Sequence, residues 1–171
     1  MVTEEARKHD GGDSICSIRP AAAEDADGIA RLWRDMADQH RSYDAEAWDW
    51  RSDAASIWRG KLLESISDPE AVVLVAEDAD GKLLGFLRGR VKDAAEIFES
   101  SRRGEVWDLV VDPDTRGKGI GRKLMVAGFD ALKQRGAASV RLHVAVANAD
   151  AVRFYRSLGM RKIMYRMYKK L

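Results

Sequence analysis

RGKGIG, residues 116–121, joins a strand-like segment to a helix-like segment. Before it, WDLVVDP (107–113) is rich in β-forming residues and stops at a proline. After it, RKLMVAGFDALKQRG (122–136) has the apolar spacing of a helix and ends at a glycine. A helix N-terminus has main-chain N–H groups without partners and the positive end of the helix dipole, and glycines let an anion approach closely. We therefore expect this strand-to-helix junction to bind a phosphate-like group.

Three kinds of phosphate-binding loop differ in their spacing. A Walker loop requires a glycine five residues before Gly-Lys and a Ser or Thr after it, but Asp112 and Gly119 hold those places. A dinucleotide loop requires GxGxxG after the first strand and an acidic residue further on, and neither condition is met. Arg-x-x-Gly-x-Gly remains, carried by Arg116, Gly119 and Gly121. An ordinary glycine-rich turn is the alternative that these six residues leave open.

A second motif, NADAVRFYRSLGM (148–160), follows the strand-like VRLHVAV (140–146). Together with Arg-x-x-Gly-x-Gly, it resembles the GNAT superfamily of acyl-CoA-dependent N-acyltransferases, in which a pyrophosphate-binding loop precedes an Asn-x-x-Ala-x-x-Phe-Tyr-x-x-Leu-Gly-Phe helix. The chain departs from that helix pattern only at Met160, which replaces the final Phe. The resemblance is strong over residues 105–171, whereas residues 14–104 match only in their order of elements.

Composition predicts one globular domain. The chain has 171 residues, of which 46% are apolar and 33% charged, and this is enough for one core. We expect residues 1–13 to be a flexible tail and residues 14–171 to form the domain. The single cysteine, Cys16, excludes an internal disulfide, and the three histidines lack metal-ligand spacing. Because the chain has neither a hydrophobic signal segment nor a long apolar run, we expect a cytoplasmic protein without a membrane segment and without a metal.

Charge differs sharply between the two parts of the chain. Residues 1–113 carry 15 Lys+Arg and 25 Asp+Glu, a net charge of −10, whereas residues 114–171 carry 14 and 3, a net charge of +11. The basic part suits a phosphate-rich cofactor, and the acidic part suits a cationic amine. Nucleic acid is the rival partner of the basic part. We do not expect it, because the basic residues are not interleaved with aromatic residues.

Hydrophobic periodicity predicts elements in the order β-α-α-β-β-β-α-β-α-β. The expected strands are 14–19, 71–77, 82–91, 104–111, 139–146 and 162–170, the expected helices are 24–39, 45–67, 119–135 and 149–158, and a hairpin turn is expected at 78–81. This order favours the α/β (α+β) class, with helices on the faces of a mixed sheet. The resemblance implies the GNAT fold: a mixed, mostly antiparallel sheet of six to seven strands with about four helices, splayed between strands 4 and 5 to admit the cofactor.

The resemblance also implies acetyl-CoA as co-substrate. Its pyrophosphate would accept hydrogen bonds from the main chain of residues 117–121, and its thioester carbonyl would accept one near a bulge at 109–111. For Asn148 two interpretations have equal weight, an N-cap of its helix or a contact with the pantetheine arm. The expected cofactor contacts are Leu109, Val110, Val111, Arg116, Gly117, Lys118, Gly119, Ile120, Gly121, Arg122, Asn148, Ala151 and Tyr155.

Acetyl transfer to an amine requires a base, oxyanion stabilisation and a proton for the departing thiolate. Glu105 is our first candidate for the base, because related GNAT proteins carry a glutamate at the matching offset, and Asp108 is the second. Strict alternation puts Glu105 on the face of Trp107 and Asp108 on the other face, unless a bulge reverses them. Tyr155 is the general acid that the resemblance implies. The structural alternatives are a solvated strand end for Glu105 and a core stripe for Tyr155.

The expected reaction is direct attack of a primary amine on acetyl-CoA in a ternary complex, because no acyl-enzyme nucleophile is legible. Trp48 and Trp50 lie among acidic residues, which suits a small cationic amine as the acceptor, although helix packing explains them equally well. The second candidate function is a protein N-terminal or lysine acetyltransferase. The third is a non-catalytic CoA-binding sensor or interaction module. Homodimers are common in the superfamily, and the sequence decides neither the oligomeric state nor the length of the acyl group.

Overall fold

The computed structural model describes residues 16–97 and 102–170 of the chain, and four α-helices and five strands lie within them. The strands are β1 (Ser17–Pro20), β2 (Ala71–Glu77), β3 (Leu83–Asp93), β4 (Arg102–Val111) and β5 (Val140–Leu142); the helices are α1 (Ala26–Tyr43), α2 (Ala54–Ser67), α3 (Ile120–Gln134) and α4 (Ala149–Ser157). The tail expected at residues 1–13 lies outside the described residues. None of the described helices has the length and apolarity that crossing a bilayer requires.

The strands form one mixed sheet in the order β1-β2-β3-β4-β5. Neighbours are antiparallel from β1 to β4, and β5 runs parallel to β4 after the α3 crossover. The mixed, mostly antiparallel sheet and the four helices are therefore confirmed, but the predicted six to seven strands are wrong for the residues described. Residues 162–170 form no strand, and the expected strand 139–146 is reduced to Val140–Leu142. Residues 162–170, and residues 143–146 beyond β5, have β-forming composition but pair with no strand among the described residues, and strand formation depends on such pairing.

Two helix pairs cover opposite faces of the sheet. On the first face, α1 and α2 bury residues such as Ile29 and Leu62 against Phe86 of β3. On the second face, α3 buries Leu124 and Met125 against β2, β3 and β4, and α4 packs at its margin. The sheet thus separates two cores. A molecule bound between β4 and β5 would contact residues of the α1/α2 face on one side and residues of the α3/α4 face on the other.

The second helix begins later than predicted. The expected span 45–67 is wrong for its first nine residues, because α2 starts only at Ala54. The Asp44 carboxylate accepts hydrogen bonds from the N–H groups of Glu46 and Ala47, at 3.1 and 3.0 Å. An Asp side chain that bonds to its own following backbone offers the chain a turn in place of a helix. Residues 44–53 therefore form an irregular connection between α1 and α2, which we call the acceptor segment.

A β-bulge in β4 changes which residues share a face. Arg88 pairs with Asp108 but the next residue, Gly89, pairs with Val106, so Trp107 is the extra residue. After the bulge, Leu109 packs on the α3 side of the sheet. Asp108 bonds to Arg88 on the α1/α2 side. Strict alternation is therefore wrong for Asp108, and the bulge brings it to the face of Glu105 and Trp107.

The bulge depends on the glycine opposite it, and this yields a stability prediction. A Cβ on Gly89 would lie 2.6 Å from the carbonyl oxygen of Glu105, which is backbone and cannot move without changing the pairing. We expect Gly89→Ala to lower the free energy of unfolding by about 1–3 kcal/mol, as overpacking does. Denaturant titration measures the change. Gly60→Ala is the matched control. Because Gly60 lies in α2 with nothing within 4 Å of its Cβ position, that substitution should stabilise the protein by about 0.5–1 kcal/mol. Equal stability of the Gly89→Ala variant and the wild type would contradict this role of the glycine.

Candidate active site

The glycine loop presents a row of main-chain donors. Gly117 and Gly119 have φ of 80° and 81°, and nothing lies within 4 Å of the position of a Cβ on either. The first bond of α3 runs from the N–H of Lys123 to the carbonyl of Gly119, at 3.1 Å. Within the described part of the chain, no acceptor takes a hydrogen bond from the N–H groups of residues 117–122. The loop is thus open in front and its donors are available to an anion.

The third glycine has a packing role. A Cβ on Gly121 would lie 3.5 Å from both Phe154 of α4 and Val111 at the end of β4. These are ordinary van der Waals distances, so Gly121 lies in close contact with the two elements that meet α3 at the loop. Ile120, beside it, is buried in the core, so only its main chain is available to a ligand.

The three cationic side chains of the loop differ in their hydrogen-bond partners. Arg116 donates from Nε to the carbonyl of Val111 at 3.3 Å and from a terminal nitrogen to Oε1 of Gln39 in α1 at 3.2 Å. Arg122 donates to the hydroxyl of Ser157 at 2.8 Å. Lys118 is exposed. Arg116 therefore ties the loop to β4 and α1, a role that the sequence motif does not reveal.

One edge of β4 is uncovered beside this loop. β5 pairs only with Gly104, Glu105 and Val106, whereas β4 continues to Val111. Among the described residues, no strand pairs with that edge from residue 107 to residue 111. The expected cofactor contacts Leu109, Val110 and Val111 all lie along this open stretch, which we call the β4–β5 gap.

Helix α4 brings two of the predicted residues to the α3 side of the gap. The Asn148 Oδ1 atom accepts the N–H of Ala151 at 3.1 Å, so its capping role is confirmed. Tyr155 is half-buried against the core of that face, and its ring centroid lies 5.3 Å from that of Phe154. Burial raises the pKa of the Tyr155 phenol to about 12. The phenol therefore keeps its proton throughout the neutral range.

The two candidate carboxylates lie on the opposite face and differ in their surroundings. Asp108 is 7% exposed, and one of its oxygens accepts from Nε of Arg88 at 2.7 Å. Desolvation by burial raises the pKa of Asp108 despite that guanidinium. Glu105 is half-buried and bonded to the Lys92 ammonium at 2.6 Å and to the Trp107 indole N–H at 3.2 Å. The Lys92 bond lowers the pKa of Glu105 below its ordinary value.

A chain of aromatic rings connects the acceptor segment to these carboxylates. The centroid distances between successive rings are 4.5 Å for His40–Trp48, 5.5 Å for Trp48–Trp50, 5.8 Å for Trp50–Trp33 and 5.0 Å for Trp33–Trp58. At the far end, the guanidinium carbon of Arg88 lies 5.3 Å from the Trp58 ring centroid. Trp48 and Trp50 therefore belong to the same face as Asp108.

Sequence reasoning missed two residues of this arrangement. His40 is one of the three histidines without metal-ligand spacing, but it contributes to lowering the pKa of Asp108, and its Nδ1 lies 2.9 Å from the carbonyl oxygen of Met36. Arg88 belongs to neither of the two sequence motifs. Its signal was an arginine inside the apolar stretch LLGFLRGRV (83–91), where a buried charge requires a partner.

The arrangement puts the candidate groups on two different sides of the sheet. The glycine loop and Tyr155 lie with α3 and α4, whereas the carboxylates and the aromatic chain lie with α1 and α2. The β4–β5 gap is the point at which reactants from the two sides can meet. Groups of three His, Cys, Asp or Glu side chains that could hold a metal ion do not occur among the described residues.

Known proteins share this chain's sequence pattern. The profile of the acetyltransferase (GNAT) family matches residues 29–160. A mycothiol acetyltransferase of Clavibacter michiganensis subsp. michiganensis is 35% identical over 136 residues, which cover 78% of this chain and 42% of that protein. A mycothiol acetyltransferase of Saccharomonospora viridis is 36% identical over 124 residues, covering 70% and 40%. The chain thus spans only about two fifths of the length of these curated relatives.

Solved structures share its fold. A Bacillus halodurans protein, solved as a tetramutant, aligns with a TM-score of 0.80 and 27% identity over 91% of this chain and 99% of that one. An aminoglycoside acetyltransferase from an uncultured soil metagenomic sample aligns with a TM-score of 0.66 and 20% identity over 92% and 97%, which bears on the fold alone. Because the family profile covers well over half of the sequence, this chain belongs to the acetyltransferase (GNAT) family.

Proposed function

We propose that this protein transfers an acetyl group from acetyl-CoA to the primary amine of a small cationic molecule, by direct attack in a ternary complex. The observation that carries the proposal is the row of N–H groups at residues 117–122, which have no acceptor among the described residues and lie at the end of the β4–β5 gap. A diphosphate is the group that such a loop and helix dipole suit best.

Acetyl-CoA would contact the loop and the gap together. The N–H groups of residues 117–122 and the charge of Lys118 and Arg122 suit the pyrophosphate. Main-chain donors along the open edge of β4 at residues 109–111 would serve the pantetheine arm and the thioester carbonyl, and Asn148 and Ala151 of α4 are further expected contacts of the cofactor. When bound, the cofactor supplies an activated acyl group. The protein has to hold that group, polarise its carbonyl and manage protons.

Asp108 is our candidate for the base, with Glu105 as the alternative. A base works best when its pKa lies near the working pH, and a primary ammonium, with a pKa of about 10, has to lose a proton before it attacks. Burial moves the pKa of Asp108 toward that range, whereas Lys92 moves the pKa of Glu105 away from it. We therefore assign proton removal to Asp108, directly or through a water, and attraction of the cation to Glu105.

Tyr155 is our candidate for the acid on the other side of the gap. Its phenol, whose pKa burial raises from the ordinary value near 10 to about 12, is protonated at neutral pH and can donate a hydrogen bond to a departing thiolate. Its half-buried position on α4, beside the loop-packing residue Phe154, supports this role.

The acceptor side favours a cation of small size. Trp48 and Trp50 lie beside His40, and the acceptor segment also carries Asp44, Glu46 and Asp49. Aromatic faces attract ammonium groups, and exposed carboxylates steer them in. The relatives named mycothiol acetyltransferases agree with a small-molecule acceptor rather than a protein.

Thiol release from acetyl-CoA tests the proposal. The acceptor panel should contain a polyamine, an aminoglycoside, a lysine peptide, a peptide with a free N-terminus and a neutral primary amine. We expect turnover with the small cations, weaker at high salt because screening removes the steering. Turnover confined to peptides would favour a protein acetyltransferase. Cofactor binding without turnover of any amine would favour a CoA-binding sensor.

Arg116→Ala tests the loop. The side chain supplies charge and holds both Val111 and Gln39, so its loss should weaken acetyl-CoA binding by about 1.5–3 kcal/mol, the worth of a charge-assisted hydrogen bond. Titration calorimetry gives the dissociation constants. Arg59→Ala is the matched control, because Arg59 is a half-exposed arginine of α2 that pairs with Asp27. Equal affinities of the Arg116 variant and the wild type would contradict the assignment.

A further inference from the structure

Both partners of the Arg88–Asp108 ion pair are buried. The Arg88 side chain is 12% exposed, the Asp108 side chain is 7% exposed, and the atoms joining them are 2.7 Å apart. Desolvating two charges costs several kcal/mol per ion, so a buried pair is weak support for stability by itself. Hydrophobic residues would fill this space at similar or lower cost. A role other than stability is therefore worth deriving from its surroundings.

Arg88 is held by three elements at once. Its guanidinium carbon lies 5.3 Å from the ring centroid of Trp58 in α2 and 4.9 Å from that of Trp107, the bulge residue of β4. A terminal nitrogen also donates to the hydroxyl of Ser65 at 3.4 Å. Between two indoles and a hydroxyl, the guanidinium has one orientation. The carboxylate bonded to its Nε is therefore fixed as well.

The bulge and the arginine act on the same carboxylate. Arg88 is the last residue of β3 in register before the shift, and Asp108 is its direct partner. The Asp108 side chain leaves β4 immediately after the extra residue, at the start of the stretch where β4 has no β5 partner. The orientation of this carboxylate beside the gap thus depends on Arg88 as much as on its own strand.

We infer that Arg88 is a positioning residue for acetyl transfer, which holds the Asp108 carboxylate in one orientation between the aromatic chain and the β4–β5 gap. The inference rests on the proposed function. It adds residues of β3 and α2 to the β4 residues that would take part in the reaction. It also explains why the guanidinium lies against the rings of Trp58 and Trp107: the rings that shield it from water hold it in place.

The charges around Asp108 define a readout that a merely structural pair would not give. Arg88 faces Asp108 from β3, and His40 faces it from α1; from α2 the neighbours of the pair, Trp58 and Ser65, are neutral. An arginine beside a carboxylate lowers its pKa by about one to three units. Removing Arg88 removes the larger favourable charge, so the carboxylate should take up its proton at a higher pH.

The experiment compares Arg88→Met and Arg88→Lys with Arg90→Met. Arg90 is the matched control, because it is two residues further along β3 and pairs with Asp68 instead. The carbon-13 NMR signal of the Asp108 carboxyl, identified by its loss in Asp108→Asn, is followed against pH. In Arg88→Met, the titration midpoint of this signal should rise by about one to three pH units. The pH below which kcat/KM falls should rise by the same amount.

Arg88→Lys separates charge from geometry. The ammonium keeps the charge but not the planar fork, so the midpoint should stay within about half a unit while kcat falls about tenfold. Circular dichroism checks that each variant is folded, and the lysine variant retains the test if the methionine variant does not fold. Arg90→Met should leave both the midpoint and kcat as in the wild type.

Two different failures are distinguishable. If wild-type protein acetylates amines while Arg88→Met leaves the midpoint and kcat unchanged, or if Arg90→Met shifts them equally, the role of Arg88 is overturned alone. If wild-type protein acetylates no amine in the panel, the proposed function is overturned, whatever the carboxyl titration gives.

Discussion

Asp108→Asn is expected to lower kcat by about 10²-fold to 10⁴-fold, the usual contribution of a general base. Asparagine has nearly the same shape but cannot accept the proton of the attacking ammonium. The amide oxygen can still accept the hydrogen bond from Arg88, so the bulge should survive. Thiol release at saturating acetyl-CoA and acceptor measures kcat, and the dissociation constant of acetyl-CoA should be nearly unchanged.

The direction of the pH dependence follows from the raised pKa of Asp108. A base works only when it is deprotonated, so turnover should be lost as the pH falls through that pKa, above the range of an ordinary aspartate. The wild type should show this acid limb, and Asp108→Asn should lack it. If the residual activity of Asp108→Asn fell over the same acidic pH range as that of the wild type, the group that titrates there would be one other than Asp108.

Glu105→Gln is the matched control for Asp108→Asn. Because Lys92 lowers the pKa of Glu105, the glutamate is ionised at every working pH, and its loss should chiefly raise the KM of a cationic acceptor. A large fall in kcat for Glu105→Gln, with Asp108→Asn nearly as active as the wild type, would exchange the two roles.

Features that depend on neighbouring residues were predictable from the sequence. The hairpin at 78–81 is confirmed, because Asp78 and Gly81 suffice to turn the chain and the glycine has the positive φ of 80° that the turn requires. The opening of α3 after Gly119 is confirmed for the same reason, since the glycines and the apolar spacing are local signals.

Features that depend on distant partners were not predictable in this way. The bulge at Trp107 depends on Gly89, which is on another strand and reaches the backbone of Glu105 only after folding. The face of Asp108 therefore could not be read from alternation along β4. Arg88 escaped notice because its importance arises from two tryptophans on two other elements, Trp58 and Trp107. The late start of α2 and the absence of a strand at residues 162–170 have a similar origin, since a competing turn and the lack of a neighbouring strand override composition.

Only part of the charge separation along the chain reaches the two faces of the fold. On the first face, α1 has three acidic and three basic residues and α2 has one acidic and two basic residues, so the negative charge is confined to the acceptor segment, with four Asp+Glu and one Arg. On the other face, α3 and α4 each carry a net positive charge. An anionic cofactor and a cationic acceptor would each be attracted to a different side. Both could therefore be bound at the same time, as direct attack in a ternary complex requires.

Tyr155→Phe is the matching prediction for the cofactor side. We expect kcat to fall by about 10²-fold to 10⁴-fold, because the departing thiolate loses its hydrogen-bond donor, while the ring continues to pack against the α3-side core. Acetyl-CoA affinity should be nearly kept, since the proposed contact strengthens only as charge develops on sulfur. Titration calorimetry and thiol release measure the two quantities separately.

The phenol also sets a pH test that distinguishes Tyr155 from Asp108. With a pKa of about 12, Tyr155 is protonated at every accessible assay pH, so its loss should lower the rate by the same factor from pH 6 to pH 9 and leave the acid limb in place. Tyr165→Phe is the control, because that tyrosine is 71% exposed and lies outside the site. Unchanged turnover in Tyr155→Phe, or an equal loss in Tyr165→Phe, would remove the phenol from the reaction and reduce Tyr155 to a member of the α4 core stripe.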